Sequence, residues 1–346
     1  MSSIQSTNKP ITLIIHGANV IGEKLTELLS AQKGTVIVID EFSRQNKASI
    51  KRLKSDHEIE VYDLSAIPGL SQKIKRLDYV FILLDQYLST TEKLTSQSFL
   101  TETNVVDTLC KTALEQGSKV VLTTSISLHR RIVSDTSEQI DTLKGGHSQT
   151  PYTPIELQRY CENLAAEYHD QSMLNIRITR LGELIGEGIQ TTQQTVLQNM
   201  IREAISKPRI TIPGEGLDYA YYIHCLDAVY GIIKSIFSNN TNGEVFSLSY
   251  PEEFSSLNLA YKILELNPKA SEIVFEQDEE GSPPQHIYIP AKNLTKLGWS
   301  PKISFEKALM ETISYFHNEY NVTWKNQPKP ITDSDTSDIN MRKQSI

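Results

Sequence analysis

The chain has 346 residues, of which 39% are hydrophobic and 22% are charged, and its formal net charge is −8. That length gives room for one large domain or two, with a sizeable core. The acidic charge argues against a nucleic-acid partner, which would need a basic face. No apolar run reaches the roughly 18 residues of a membrane-spanning helix, and residues 1–9 lack the apolar centre of a secretion signal. We therefore expect a cytoplasmic protein without a membrane association and with a short N-terminal tail over residues 1–9.

The three cysteines, Cys110, Cys161 and Cys225, are scattered along the chain without the spacing of a metal site. We expect them to be small core residues in a reducing compartment, and we predict no metal site.

The stretch from Pro10 to Asp40 carries the clearest pattern in the sequence. Ile11 to Ile15 is an apolar run of strand length, His16 to Asn19 forms a turn, and apolar residues recur at helical spacing from Val20 to Leu29. A second β-branched run, Thr35 to Ile39, ends on Asp40. Strand, turn, helix and strand with an acidic residue roughly 20 positions past the turn is the layout of a dinucleotide-binding βαβ unit. The alternative is a strand-turn-helix of the same kind that binds no nucleotide.

Strand and helix patterns continue to alternate through the first half of the chain. The predicted strands are Glu58 to Leu64, Leu77 to Leu84, Ser118 to Ser125 and Met173 to Leu181, and the predicted helices are Asn104 to Gln116 and Tyr152 to Tyr168. Strands separated by helices of this length predict a parallel sheet with right-handed crossovers, which is a Rossmann-like doubly wound α/β fold. Residues 129–151 are polar and weakly periodic, so we expect a loop beside the site.

From Glu183 onward the rhythm changes, and we expect a smaller C-terminal substrate lobe. It contains a helix from Thr195 to Ile205, a short strand that leads into a helix near Asp227, a strand within 243–250, and a helix from Ser304 to Tyr320. Asp227 and Ser304 are candidate helix caps. The predicted organisation is a main domain over residues 10–182, a lobe over 183–322 from which the chain crosses back to the main domain, and a disordered polar tail over 323–346.

A series of motifs, each weak alone, occurs in the order found in one family. They are the glycine turn in "IIHGANVIG", "VIVID" ending on Asp40, "VYDL", "TNVVDTL", "VVLTTSISLH", "PYTPIELQRYCENL", "IRITRLGELIGEG" and "KLGWSPKISFEKAL". The chain resembles the extended short-chain dehydrogenases/reductases of the NAD-dependent nucleotide-sugar epimerase/dehydratase type over about Ile11 to Tyr320. The resemblance implies an NAD cofactor, a nucleotide-sugar or other small hydroxylated substrate, and a homodimer formed through the helices that contain residues 104–116 and 152–168.

The resemblance assigns a set of candidate NAD-binding residues: His16, Gly17, Asn19, Val20, Ile21, Gly22, Asp40, Asp63 and Asn104. Two of the three family glycines are replaced, the first by His16 and the second by Asn19, whereas the third remains as Gly22. Asn tolerates positive φ better than other residues with a Cβ, so His16 is the larger departure. We expect His16 to act as a turn residue with a packing role, or else to contact a phosphate. Asp40 should favour NAD over NADP because a carboxylate repels a 2′-phosphate, although Arg44 could offset that repulsion.

By the same resemblance, Ser125 and Tyr152 take the catalytic serine/threonine and tyrosine positions. In the family, a lysine four residues after the tyrosine favours its ionised form, far below the usual tyrosine pKa of about 10. Here that position is Glu156, whose carboxylate disfavours the tyrosinate. Glu156 could instead be a general base in a new chemistry.

Two further departures fall where the family holds the substrate diphosphate. A family asparagine is replaced by Glu183, and a family arginine is replaced by Ala220. Both changes oppose the binding of a dianionic group. Three hypotheses follow: an NAD-binding member with impaired catalysis, an active NAD-dependent enzyme with rearranged catalytic groups, and a dimeric protein-interaction module without a cofactor.

Overall fold

The computed structural model describes the chain in nine ranges. These are residues 9–32, 34–41, 47–56, 59–84, 94–128, 154–189, 195–267, 272–276 and 297–324.

A seven-stranded sheet, parallel at every pairing, forms the centre of the molecule. Its strands, in the spatial order β11-β6-β5-β4-β1-β2-β3, are β1 (Ile11–Ile15), β2 (Thr35–Asp40), β3 (Glu60–Asp63), β4 (Tyr79–Leu83), β5 (Lys119–Ser125), β6 (Ile176–Leu181) and β11 (Val245–Leu248). All five residues of β1 are buried. A strand of this kind is buried along its whole length because both faces of the sheet are covered. The predicted doubly wound α/β fold is confirmed.

Helices cover the two faces of this sheet. They are α1 (Val20–Ala31), α2 (Lys47–Asp56), α3 (Leu70–Lys73), α4 (Ser96–Gln116), α5 (Pro154–Ser172), α6 (Val196–Ser206), α7 (Cys225–Phe237), α8 (Ser256–Leu266) and α9 (Phe305–Trp324), with a 3₁₀ turn at Leu64–Gly69. Two large buried clusters result. One lies between α1, α7 and the sheet and continues into the C-terminal lobe, and the other lies between α4, α5 and the opposite face.

Three two-stranded sheets build much of the C-terminal lobe. They pair β7 (Glu183–Ile185) with β10 (Tyr222–His224), β8 (Arg209–Pro213) with β13 (Glu272–Glu276), and β9 (Tyr219–Ala220) with β12 (Phe254–Ser255). Strand β11 lies in this half of the sequence but pairs with β6 at the edge of the central sheet. The chain therefore crosses back from the lobe to the main sheet.

Strand β1 lies between β2 and β4, so the strand order reverses beside it. In an open parallel sheet, the crevice at the carboxyl ends of the strands next to such a reversal is where ligands bind. The turn after β1 therefore lies where an open parallel sheet binds its ligand.

Several predicted boundaries differ from the observed ones. Helix α4 begins at Ser96 rather than Asn104, because Thr95 caps it by accepting a hydrogen bond from the Ser98 amide. Helix α9 continues to Trp324, across the expected start of the tail. Residues 129–153 and 325–346, which include the predicted loop, Tyr152 and most of the predicted tail, lie outside the described residues.

Of the two predicted caps in the lobe, one is confirmed and one is wrong. Ser304 Oγ accepts a hydrogen bond from the Lys307 amide at the start of α9. At α7 the capping residue is His224, whose Nδ1 accepts from the Leu226 amide. The Asp227 carboxylate instead accepts the backbone amides of Lys302 and Ile303, each at 3.0 Å, and so ties α7 to the segment before α9.

Candidate active site

The carboxyl ends of the parallel strands bring three of the candidate residues to one edge of the sheet. Asp40 ends β2, Asp63 ends β3, and these two residues are direct partners in the strand pairing. Ser125 ends β5, opposite Leu181 of β6. Asp40 is buried, whereas Asp63 is half-buried and accepts a hydrogen bond from the Ser65 amide.

The turn between β1 and α1 is tight, and the two remaining glycines explain how it packs. A Cβ at Gly22 would lie 2.1 Å from the Gly17 carbonyl oxygen, so only glycine fits there. A Cβ at Gly17 would lie 2.8 Å from Val38 Cγ1. The first family glycine position is taken by His16, whose φ of 55° is the left-handed conformation that glycine favours.

Asn19 holds the start of α1. Its Oδ1 accepts hydrogen bonds from the amides of Ile21 and Gly22, both at 3.0 Å. Its Nδ2 donates to the His16 carbonyl oxygen at 2.5 Å, and the side chain is buried. Nearby, Asp40 Oδ2 accepts from the Ala18 amide at 2.7 Å, so the end of β2 is tied to the same turn.

The His16 ring is buried against a carboxylate from another element. Its Nε2 lies 2.9 Å from Glu102 Oε2 on α4, and both side chains are at most 3% exposed. Burial by itself lowers the pKa of His16, but the Glu102 carboxylate, with smaller contributions from Asp40 and Glu41, outweighs it and leaves the pKa raised. The packing role expected for His16 therefore comes with a charge partner.

The sequence analysis did not identify Glu102. The family resemblance named Asn104 of the same helix as an NAD-binding candidate, and that assignment stays a prediction. Helix α4 directs Glu102 inward, whereas Asn104 is exposed. A signal was present: Glu102 stands three and four residues before the buried Val105 and Val106, on the same helical face. A carboxylate on an apolar stripe indicates a buried partner.

The structure gives Ser125 a contact that was not predicted. Its backbone amide donates to Gln158 Oε1 on α5 at 2.7 Å, and Gln158 is buried. Glu156 lies in the first turn of the same helix with its side chain exposed. Because Tyr152 is outside the described residues, the convergence of Ser125, Tyr152 and Glu156 stays a prediction.

One helical turn further along α5, Glu162 joins three elements. It accepts a hydrogen bond from Thr124 Oγ1 on β5, at 2.5 Å to Oε1. Arg180 on β6 donates to both carboxylate oxygens, from Nε at 2.9 Å and from Nη2 at 2.5 Å. Gln158 and Glu162 thus fix two consecutive residues at the end of β5, and the geometry around Ser125 depends on α5.

The two candidate substrate residues both lie on short strands of the lobe. Glu183 begins β7 opposite Tyr222, and its amide donates to the Tyr221 carbonyl oxygen at 2.7 Å. Ala220 ends β9, opposite Phe254, and is half-buried. Strand β9 leads through Tyr221 into β10, the pairing partner of β7, so Ala220 lies two residues before the residue opposite Glu183.

The residues at this edge fit a dinucleotide. By the family resemblance, Asp40 and Asp63 would face the adenosine half, and the amides in the first turn of α1 are the donors that a diphosphate takes in this kind of unit. Those donors are bonded to Asn19 in this structure. When bound, NAD would supply hydride transfer to and from a substrate carbon.

The fold and this edge define a doubly wound nucleotide-binding protein with an added lobe. The sequence matches the NAD dependent epimerase/dehydratase family over residues 13–249, more than half of the chain, and the protein belongs to that family. The resemblance inferred from the motifs is thereby confirmed, with NAD as the family cofactor.

Among curated relatives, the chain is 24% identical over 318 residues to UDP-glucuronic acid decarboxylase 1 of Arabidopsis thaliana, covering 88% of this chain and 69% of that protein. It is also 24% identical over 332 residues to UDP-glucuronic acid decarboxylase 1 of Danio rerio, covering 92% of this chain and 76% of that protein.

Two solved structures share the fold. UDP-glucose 4-epimerase of Thermotoga maritima, solved with UDP-glucose, has a TM-score of 0.71 at 20% identity and covers 89% of this chain and 99% of its own. A mutant UDP-glucuronic acid 4-epimerase of Bacillus cereus, solved with NAD and a fluorinated UDP-sugar, has a TM-score of 0.71 at 19% identity and covers 90% of this chain and 100% of its own. Among the helices that the structure describes, none is both long and apolar enough to cross a bilayer.

Proposed function

We propose that the protein binds NAD at the carboxyl edge of the sheet and is impaired in the family's nucleotide-sugar chemistry. The observation that carries the proposal is the carboxylate of Glu156, exposed in the first turn of α5 at the position of the family lysine. An acidic side chain is electrostatically favoured at a helix N-terminus, so the helix accepts this residue readily.

The chemical consequence concerns the proton that Tyr152 would have to move. A tyrosine that acts as a base near neutral pH needs its pKa lowered well below about 10, and a nearby cation provides that. The carboxylate of Glu156, four residues after Tyr152 in the sequence, acts in the opposite direction. Ser125, held by Gln158, keeps its place at the end of β5, so the loss affects proton transfer rather than the scaffold.

The substrate class follows from the relatives and from the two lobe positions. The relatives act on UDP-glucuronic acid or bind UDP-sugars, which favours a nucleotide sugar as the ancestral substrate class. Glu183 and Ala220 replace an amide and a cation where the diphosphate would lie. Each change weakens the attraction for a dianionic group.

Restoring the family residues tests this proposal. Glu156→Lys should lower the pKa of Tyr152 but restore little activity, because Glu183 and Ala220 still oppose the diphosphate. The triple change Glu156→Lys, Glu183→Asn, Ala220→Arg should give detectable NAD-dependent turnover of a UDP-sugar. Turnover by Glu156→Lys alone that equals the triple variant would overturn the role given to the two lobe positions.

Calorimetric titration with NAD and NADP tests the cofactor. Asp40, buried at the end of β2, should favour NAD, since its carboxylate repels a 2′-phosphate. Tighter binding of NADP would refute this assignment, and Arg44 would then be the first residue to test. Binding of neither dinucleotide would favour a fold that has lost its cofactor.

A second candidate is an active enzyme in which Glu156 is a working base on some other hydroxylated substrate. Glu156 is an exposed residue in the first turn of α5, at the position where the family has its catalytic lysine. Replacing a general base costs roughly a hundredfold or more in rate, so Glu156→Gln distinguishes the two candidates.

A third candidate is a homodimeric interaction module built on α4 and α5. Leu100 on α4 is 56% exposed and Tyr160 on α5 is 49% exposed, and Phe99 meets Tyr160 edge to face at 6.0 Å. An apolar surface on two packed helices suits a second copy of the chain. Sedimentation analysis should give a dimer that Leu100→Glu converts to a monomer, whereas a wild-type monomer would refute this candidate.

A further inference from the structure

The Asn19 side chain occupies the backbone amides at the start of α1. Asn19 Oδ1 accepts from the amides of Ile21 and Gly22 at 3.0 Å each. First-turn amides of this helix are the donors that hold a dinucleotide diphosphate in the fold. One amide hydrogen cannot bond fully to both acceptors, so the Asn19 side chain and a phosphate oxygen compete for it.

Asn19 is also fixed at its other end. Its Nδ2 donates to the His16 carbonyl oxygen at 2.5 Å, and only 7% of the residue is exposed. His16 is in turn held by the buried Glu102, 2.9 Å from its ring. The Asn19 side chain therefore bridges the turn, and a ligand that displaces it must break the bonds of both Oδ1 and Nδ2.

We propose that Asn19 is a built-in competitor for the diphosphate, so that NAD binds only after the Asn19 side chain rotates out of the first turn of α1. This inference rests on the proposed NAD binding. It assigns to Asn19 a weakening of cofactor affinity, whereas an ordinary helix cap would support the site or leave affinity unchanged.

Replacement by glycine separates the two roles. Asn19→Gly removes the competing acceptor, and glycine is an acceptable residue at a helix N-cap. Rotation of Asn19 out of the turn also breaks the bond from its Nδ2 to the His16 carbonyl oxygen. The net free energy of one such hydrogen bond corresponds to about a fivefold change in a binding constant, so NAD should bind about fivefold more tightly to Asn19→Gly. The melting temperature should fall at the same time, since the cap and the bond to His16 are lost.

Replacement by aspartate provides the opposite change. Asn19→Asp keeps an acceptor on the amides of Ile21 and Gly22 and adds a negative charge beside the diphosphate. NAD should then bind at least about tenfold more weakly than to the wild type. Ser304→Gly is the matched control, because it removes the cap of α9, where Ser304 Oγ accepts from the Lys307 amide. It should lower the melting temperature without changing NAD affinity.

Calorimetric titration of the four full-length proteins with NAD decides the matter. Tighter binding by Asn19→Gly, together with its lower melting temperature, supports the proposal. Equal or weaker binding by Asn19→Gly overturns it while leaving the proposed cofactor intact if the wild type binds NAD. Failure of both wild type and Asn19→Gly to bind at millimolar NAD overturns both the inference and the proposed NAD site.

Discussion

The imidazole of His16 and the carboxylate of Glu102 form a buried pair across 86 residues of sequence, with Nε2 and Oε2 2.9 Å apart. The pair joins the turn after β1 to α4 at the position of the family's first glycine. The buried partner of the ring offsets the cost of a backbone with a φ of 55°, a conformation that glycine favours.

The pair predicts a specific dependence of stability on pH. Burial lowers the pKa of His16. The carboxylates of Glu102 on α4, of Asp40 at the end of β2 and of the following Glu41 raise it by more, so the pKa in the folded protein lies above 6.5. A group whose folded pKa is raised stabilises the fold below its unfolded pKa, and that contribution is lost as pH rises through the folded value.

Glu102→Gln should therefore destabilise the protein by about 3 kcal/mol near pH 6, as expected when a buried pair is broken. The difference from the wild type should narrow as the pH rises above 6.5. Urea unfolding of both proteins between pH 5.5 and 9, values chosen to span about this window, measures the effect. Two parallel stability curves would contradict the role of the pair.

The close approach of α1 to the turn predicts a strong effect of a single methyl group. Gly22→Ala would place a Cβ 2.1 Å from the Gly17 carbonyl oxygen, and it should cost about 1–3 kcal/mol or more through overpacking. Gly69→Ala is the matched control, because its Cβ would find its nearest neighbour, Lys73 Cε, at 3.7 Å. The free energy of unfolding of that variant should lie within about 0.5 kcal/mol of the wild-type value. Equal stability of the two variants in urea unfolding would show that the turn is not under this constraint.

The local parts of the fold could be predicted from the sequence, because periodic apolar runs specify elements on their own. Strand β1 was predicted at its observed bounds, and helix α1 at its observed start. The start of α4 could not be predicted, since its first residues are polar and its cap, Thr95, is exposed. A local side-chain cap rather than an apolar pattern fixes that end.

The candidate site was predictable only in part, because residues distant in sequence hold it in place. The βαβ layout alone points to Asp40 at the end of a strand, whereas Ser125 was assigned through the family resemblance. The partners that hold the site, Glu102 and Gln158, come from helices distant in sequence. The Asp227 carboxylate was expected to cap a helix because an acidic residue at a helix start often does so, yet its partners lie 75 and 76 residues away.

The bonds around Glu162 predict that this residue is required for stability. Glu162→Ala leaves Arg180, whose side chain is 17% exposed, without its bidentate partner, and frees Thr124 Oγ1 on β5. We expect a loss of about 3 kcal/mol in the free energy of unfolding. Lys111→Ala breaks a pair with Asp107 in which the lysine is 61% exposed, and it should cost less than about 0.5 kcal/mol. Similar losses of unfolding free energy in the two variants would contradict the stabilising role given to Glu162.

The cysteines should be unreactive in the folded protein, as the sequence suggested. Cys110, Cys161 and Cys225 are free and buried. Burial, with a smaller contribution from Asp107, raises the pKa of Cys110 to about 12, and burial raises the pKa of Cys225 to about 11. Since the thiolate is the reactive form, labelling with a disulfide reagent at pH 8, about half a unit below the usual cysteine pKa, should be slow in the native state and complete in urea. Rapid labelling without denaturant would contradict the buried placement.

The central claim is that Glu156 has replaced a catalytic cation and has no catalytic role of its own. The most direct measurement is turnover of UDP-glucuronic acid and a panel of other UDP- and dTDP-sugars with NAD, for the wild type and Glu156→Gln side by side. We expect little or no turnover by the wild type and no further loss in Glu156→Gln. Wild-type turnover that falls by about a hundredfold or more in a folded Glu156→Gln variant would contradict the claim and make Glu156 the general base of an active enzyme.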